Sequence, residues 1–213
     1  MRRLVTSFAT ASVRAAAVAA LAWTASWAVP ARGASWDGVA LSEEASRLNA
    51  KAAEAAADGR TQEAMRTYIR AAKADVANAE AMYRLGGLLL EAGMADKAAA
   101  VMGRVLAAYP GDPDARIGRA AAVAGRDDPS AADLAMALED LDIAEAAAGA
   151  SAPIAYFRSR LCYRAGDLDG AAAAAREARW MDAEEPVSAA QTELYKQQEQ
   201  LCNATRAALS PLD

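Results

Sequence analysis

Four glycines, Gly59, Gly93, Gly125 and Gly166, each separate two apolar stretches of helical period, and this recurrence constrains the chain more than any other feature. The central case is Ala79 to Asp112. Its first half carries Met82, Leu85, Leu89 and Leu90 at helical spacing, and its second half Ala98, Val101, Met102, Val105 and Leu106. Gly93 falls where the first helix must stop, and a glycine readily takes the left-handed conformation that ends many helices. The short Met94-Ala95-Asp96 link then forces an antiparallel return, so the stretch predicts a helical hairpin closed by Pro110. Gly86 and Gly87 lie inside the first helix, where each costs about 1 kcal/mol relative to alanine. Close approach of the second helix is the expected offset.

The hairpin recurs along the chain. Gly59, Ala64, Tyr68 and Ala71 precede Gly93, Ala98, Met102 and Val105 by 34 residues, which places a first hairpin over Leu41 to Val76, with Ser42 as its N-cap. The third unit starts at Asp112-Pro113, cap and first-turn proline, and Gly125 ends its first helix as Gly93 did. The polar stretch Arg126 to Asp133 is about seven residues longer than its counterpart and is expected to project as a surface loop. Ala137, Leu141 and Ala144 then follow the central set by 39 residues, and Ala171, Ala175 and Ala178 follow those by 34. The fourth unit begins at Pro153. From Pro186 to Leu209 one longer polar helix is expected to cap the array, because the last hairpin otherwise exposes its apolar stacking face.

Met82, Leu85-Gly86, Leu89, Ala98, Met102 and Pro110 keep the spacing of the tetratricopeptide repeat, with Met and Leu where that family has aromatics, and the chain resembles that family. The resemblance implies an all-α fold, an α-solenoid of four hairpins (about 45–78, 79–112, 113–150 and 152–185) with a capping segment at 186–213. It also implies a non-catalytic role, the binding of a partner protein or extended peptide in a concave groove lined by the first helix of each hairpin. On that reading the groove carries Asn49, Ala53 and Ala56, then Tyr83, Gly87 and Leu90, then Arg119, then Tyr156, Arg160 and Tyr163. The last three stand at i, i+4 and i+7 on one helical face, and tyrosine and arginine are frequent interface anchors. The alternative is internal: Tyr156 and Tyr163 pack against the capping helix and Arg160 pairs with a surface carboxylate.

Composition narrows the chemistry. Alanine accounts for much of the 54% hydrophobic content of this 213-residue chain, so its core depends on helices packed closely along their length. Histidine is absent, which removes the commonest general base and metal ligand, and two cysteines cannot build a structural zinc site. No cofactor, metal site or enzymatic activity is expected. Arg2, Arg3, Arg14 and Arg32 precede the first acid, Asp37, so loss of the first 33 residues takes the net charge from −5 to −9. A chain of that sign repels phosphate backbones, which argues against nucleic-acid binding.

Residues 1–33 read as an export signal: basic Arg2-Arg3, an apolar run from about Ala15 to Ala28, and a cleavage site after Gly33, with Ala28 as a second site. The run is short of the ~20 residues needed to span a bilayer, so cleavage and a periplasmic destination are expected over a retained anchor. Arg2-Arg3 alone is a weak match to a twin-arginine signal. In an oxidising compartment Cys162 and Cys202, the chain's two cysteines, become a disulfide candidate. Register argues against the bond. If Pro153 and Pro186 start parallel helices, the two cysteines are offset by about 10 Å along the axis. A second functional reading is a receptor for a small anionic or aromatic ligand held between the last repeat and the capping helix.

Overall fold

The computed structural model describes residues 39–209 apart from 185 and 187, so the expected signal segment lies outside the described residues. Those residues form nine α-helices and no strand: α1 (Glu43–Ala57), α2 (Thr61–Ala74), α3 (Ala79–Glu91), α4 (Ala95–Ala108), α5 (Pro113–Ala124), α6 (Ala131–Ala148), α7 (Ala152–Ala165), α8 (Leu168–Glu184) and α9 (Ala189–Leu209). The chain is an all-α solenoid. Each helix packs on the next in sequence, and α3, α5, α7 and α9 also touch one another in series, so the odd-numbered helices form one layer and the even-numbered helices the other.

Helix starts follow from capping chemistry. Ser42 accepts a hydrogen bond from the Ala45 N–H at 3.2 Å, and Asp112 accepts one from the Ala115 N–H at 2.8 Å with Pro113 behind it. Asn78 does the same for α3 through the Ala81 N–H at 3.0 Å. Helix α9 begins at Ala189, capped by Ser188, rather than at Pro186.

The four glycines all lie at the bends between paired helices. Gly59, Gly93 and Gly166 have φ of 73°, 70° and 85°, in the left-handed region. In each case the next residue donates its N–H five residues back: Arg60 to Ala55, Met94 to Leu89 and Asp167 to Cys162, at 2.8 to 2.9 Å. The same backbone closure therefore ends α1, α3 and α7. Gly125 departs from the expectation, with φ −88° and a right-handed conformation. The turn it opens runs to Ser130, six residues instead of three, and has room to reverse without a left-handed residue.

That longer turn lies at the surface, with Asp127, Asp128 and Ser130 exposed, and is tied down at several points. Arg126 bridges Asp96, in the first turn of α4, and Asp133, in the first turn of α6, both at 2.8 Å. Ser130 and Asp133 complete a reciprocal capping box. On the far side, the Arg164 guanidinium donates to the Asp127 carbonyl. Part of the extra length lengthens α6, which has 18 residues against 14 in α4.

The offsets of 34, 39 and 34 align positions that share one environment. Ala64, Ala98, Ala137 and Ala171 are fully buried, as are Met102 and Leu141, and as are Ala71, Val105, Ala144 and Ala178. Each even-numbered helix thus turns the same stripe toward its neighbours, and no hairpin covers that stripe alone. Leu90 on α3 packs against three of the four apolar clusters and links the second hairpin to the third and fourth.

Gly86 sits at the expected close contact, since a Cβ there would lie 2.5 Å from the terminal methyl of Met102. Met102 is fully buried, so only the flexible end of its side chain can give way, and by a limited amount. Gly86→Leu is expected to cost about 1–3 kcal/mol by overpacking. Gly86→Ala is expected to stay within about 1 kcal/mol of the parent, because a flexible methionine tip yields and helix propensity improves. Urea midpoints of the two variants check this, and a Leu variant as stable as the parent would remove Gly86 from the helix contact.

Candidate functional site

The groove candidates divide by what already occupies them. Asn49, on α1, is buried and exchanges two side-chain hydrogen bonds with Asn78 at 3.1 and 3.0 Å, while also donating to Glu80 at 3.2 Å. Asn78 is at the same time the cap of α3, so the pair fastens the first hairpin to the second. Tyr83 is buried among Met82, Met102, Val105 and Leu106, and burial drives its phenol far above the usual range. Tyr156 is buried between Phe157 and Tyr195, each ring centroid 5.2 Å away. These three candidates are withdrawn from any partner-facing surface, because their faces are covered by the neighbouring helices.

Four candidates keep partial exposure: Leu90, Arg119, Arg160 and Tyr163. Arg119 makes two hydrogen bonds to Asp140 on α6, at 2.6 and 2.8 Å. Arg116 adds a third at 2.7 Å and also donates to the Pro110 carbonyl. Asp140 is only 1% exposed, so one buried carboxylate holds two guanidinium groups. Its hydrogen bonds and charge raise the Arg119 pKa despite partial burial.

Arg160 pairs with no carboxylate among the described residues, against the internal alternative drawn from sequence. It donates to the Ala124 carbonyl at 3.1 Å, satisfying the C-terminal end of α5, and lies over the Tyr156 ring at 5.9 Å. Tyr163 shares a 3.0 Å hydrogen bond with Thr205 of α9. Tyr156 and Tyr163 therefore both face the capping helix, and the aromatic-basic face of α7 is mainly the seat of α9.

The α7–α9 seam has a regular register. Tyr156 meets Tyr195, Ser159 accepts a hydrogen bond from Gln198 at 3.1 Å and lies 3.7 Å from the Cys202 sulfur, and Tyr163 meets Thr205. Cys162 and Cys202 are free thiols in one apolar cluster with Ala171, Ala172 and Ala175. Where α9 approaches α8, Thr192 donates to Asp182 at 2.6 Å. The other Asp182 oxygen, Gln191 Nε2 and the Tyr195 hydroxyl are buried with no partner among the described residues. Burial raises the Tyr195 pKa strongly, with the Asp182 charge adding to it.

Sequence reasoning missed Asp140, Asn78 and Tyr195. Each holds a partner at least 21 residues away, which no local pattern displays, and of the three Asn78 alone also has a local role, its cap on the Ala81 N–H. It also passed over Trp180 on α8, 63% exposed and, among the described residues, the largest apolar side chain left in solvent. Among the described residues no group of Cys, Asp and Glu is placed to hold a metal ion, and no helix is long and apolar enough to cross a membrane.

Comparison with known proteins agrees with this architecture. The tetratricopeptide-repeat family profile matches residues 55–122. No curated protein matches the sequence. Among solved structures, TTC0263, a thermophilic TPR protein of Thermus thermophilus, is similar with a TM-score of 0.57 at 22% identity, over 79% of this chain and 93% of that one. MamA from Desulfovibrio magneticus RS-1 (residues 41 to the end) gives 0.57 at 17% identity over 81% and 100%. A tetratricopeptide repeat protein from Parabacteroides merdae ATCC 43184 gives 0.60 at 18% identity over 77% and 62%. Residues 55–122 are thus tetratricopeptide repeats, and the described chain as a whole is a helical-repeat protein of the TPR fold.

Proposed function

We propose that this chain is a non-catalytic scaffold or adaptor of the cell envelope, which holds a partner protein or an extended peptide along its odd-numbered helices. The observation that supports this reading is the serial contact of α3, α5, α7 and α9, which joins their free sides into one surface running across the repeats. Arg119 and Arg160, both partly exposed on that layer, supply fixed donors, since their internal bonds leave other guanidinium N–H groups for a partner. The signal-like residues 1–33 support export. The small-ligand alternative has less behind it. The seam between last repeat and cap is filled by Tyr156, Phe157 and Tyr195, and its buried Asp182 repels an anion.

The test is site-specific photocrosslinking in the native cell. A crosslinker replaces Ala53, exposed on α1, or Arg104, exposed on α4 in the other layer. A discrete protein adduct from position 53 and none from 104 is expected. Adducts from 104 with none from 53 would move the binding surface to the opposite layer and contradict the proposal. The mature N-terminus is expected at Ala34 in the periplasmic fraction.

A further inference from the structure

We infer that Cys162 and Cys202 are built to form an intramolecular disulfide that pins the capping helix α9 to the last repeat. The objection from sequence assumed that α7 and α9 start together at their prolines. They do not, because α9 begins at Ala189 under a Ser188 cap and its contacts with α7 run at sequence offsets of 39 for Tyr156–Tyr195 and Ser159–Gln198, 43 for Ser159–Cys202 and 42 for Tyr163–Thr205. Cys162 and Cys202, 40 apart, fall inside that range. The two helices are parallel and in register at the cysteines, so the axial mismatch that would forbid the bond is gone.

Local geometry agrees. Cys162 is one helical turn beyond Ser159, whose hydroxyl is 3.7 Å from the Cys202 sulfur, and it packs on the cluster that contains Cys202. The cap needs a fastener there. Beyond Gln198, Cys202 is the one buried residue of α9, and Asn203, Ala204 and Arg206 to Leu209 are exposed. Besides Cys202, that half is tied by the Tyr163–Thr205 hydrogen bond and by ion pairs at the surface, Arg179–Glu199 at 2.6 Å and Arg206–Asp169 at 3.1 Å, which contribute little each.

The chemistry is an exchange with an external disulfide. Cys162, the more exposed thiol, gives up its proton and attacks a sulfur of the oxidant, forming a mixed disulfide and releasing one thiol. The Cys202 thiolate then attacks the Cys162 sulfur, closing the internal bond and releasing the second thiol. Two protons and two electrons leave with the two product thiols. Burial raises both cysteine pKa values, so the exchange accelerates with rising pH.

The test treats the reduced full chain with oxidised glutathione at about pH 8.5, the ordinary thiol pKa, and over a prolonged incubation, because burial leaves both thiols less ionised than a free one at that pH. Thiols are then titrated after unfolding and the intact mass is measured. Both thiols are expected to vanish together with a loss of two hydrogens and no retained glutathione. Re-reduction is expected to lower the thermal midpoint by about 8–16 °C, as for a loop of some 40 residues released in a chain of this size. In Cys202→Ser, glutathione is expected to remain on Cys162. A stable glutathione adduct on the parent protein, disulfide-linked dimers, or two thiols still reactive after treatment would each overturn the inference.

Discussion

Replacing Asp140 with alanine is expected to destabilise the protein by about 3–5 kcal/mol, the usual effect of removing one partner from a buried ionic cluster. Asp140 is 1% exposed and accepts hydrogen bonds from Arg116 and from Arg119, whose side chains are 16% and 22% exposed. Without it, two guanidinium groups share a partly desolvated site and lose the carboxylate that both hold, with the Glu139 charge acting on Arg119 alone as a partial offset. The loss belongs to the orphaned arginines more than to the missing carboxylate. A triple variant, Arg116→Met, Arg119→Met and Asp140→Leu, is therefore expected to recover most of the stability, since apolar replacement of a whole buried ionic group is often neutral. Urea denaturation of the single and triple variants measures both effects. A single variant within about 0.5 kcal/mol of the parent would mean that the cluster is effectively solvated.

Tyr195→Ala is expected to cost about 3–5 kcal/mol, because the ring is 1% exposed and fills the space between α7 and α9 against Tyr156. Tyr195→Phe separates ring from hydroxyl. The hydroxyl is buried without a partner among the described residues, so its removal is expected to be neutral or to stabilise by about 1 kcal/mol. A loss of more than about 1 kcal/mol in the Phe variant would show that the hydroxyl is hydrogen-bonded in solution. The two substitutions together assign the stability of the cap to aromatic packing rather than to its polar neighbours.

The repeat was legible in sequence because its determinants are local and periodic. Gly59, Gly93 and Gly166 mark left-handed helix ends, and small residues such as Ala98 and Ala171 recur where helices touch. Caps such as Ser42 and Asp112 are read from the residues beside them. Gly125 looked the same in sequence yet is right-handed, because turn length rather than residue type sets the demand for positive φ.

The surface was less legible. Spacing placed Tyr156, Arg160 and Tyr163 on one face but could not say what lies opposite that face, which depends on how far α9 slides along α7. A helix start three residues later, at Ala189 rather than Pro186, changed the opposing residues and turned groove candidates into a seam. Asn49 and Arg119 were likewise placed on the face of the odd-numbered helices, while their partners Asn78 and Asp140 lie 29 and 21 residues away. Alanine-rich helices make this worse, since they leave few large side chains to reveal the opposing partner.

The central claim is that every hairpin depends on the next for covering its apolar stripe, and amide hydrogen exchange on Tyr195→Ala tests it most directly. Nearest-neighbour stacking predicts a graded loss of protection: greatest in α9, α8 and α7, smaller in α5 and α6, and absent in α1 and α2. Equal loss in all the described helices would contradict that account and make the chain one indivisible core.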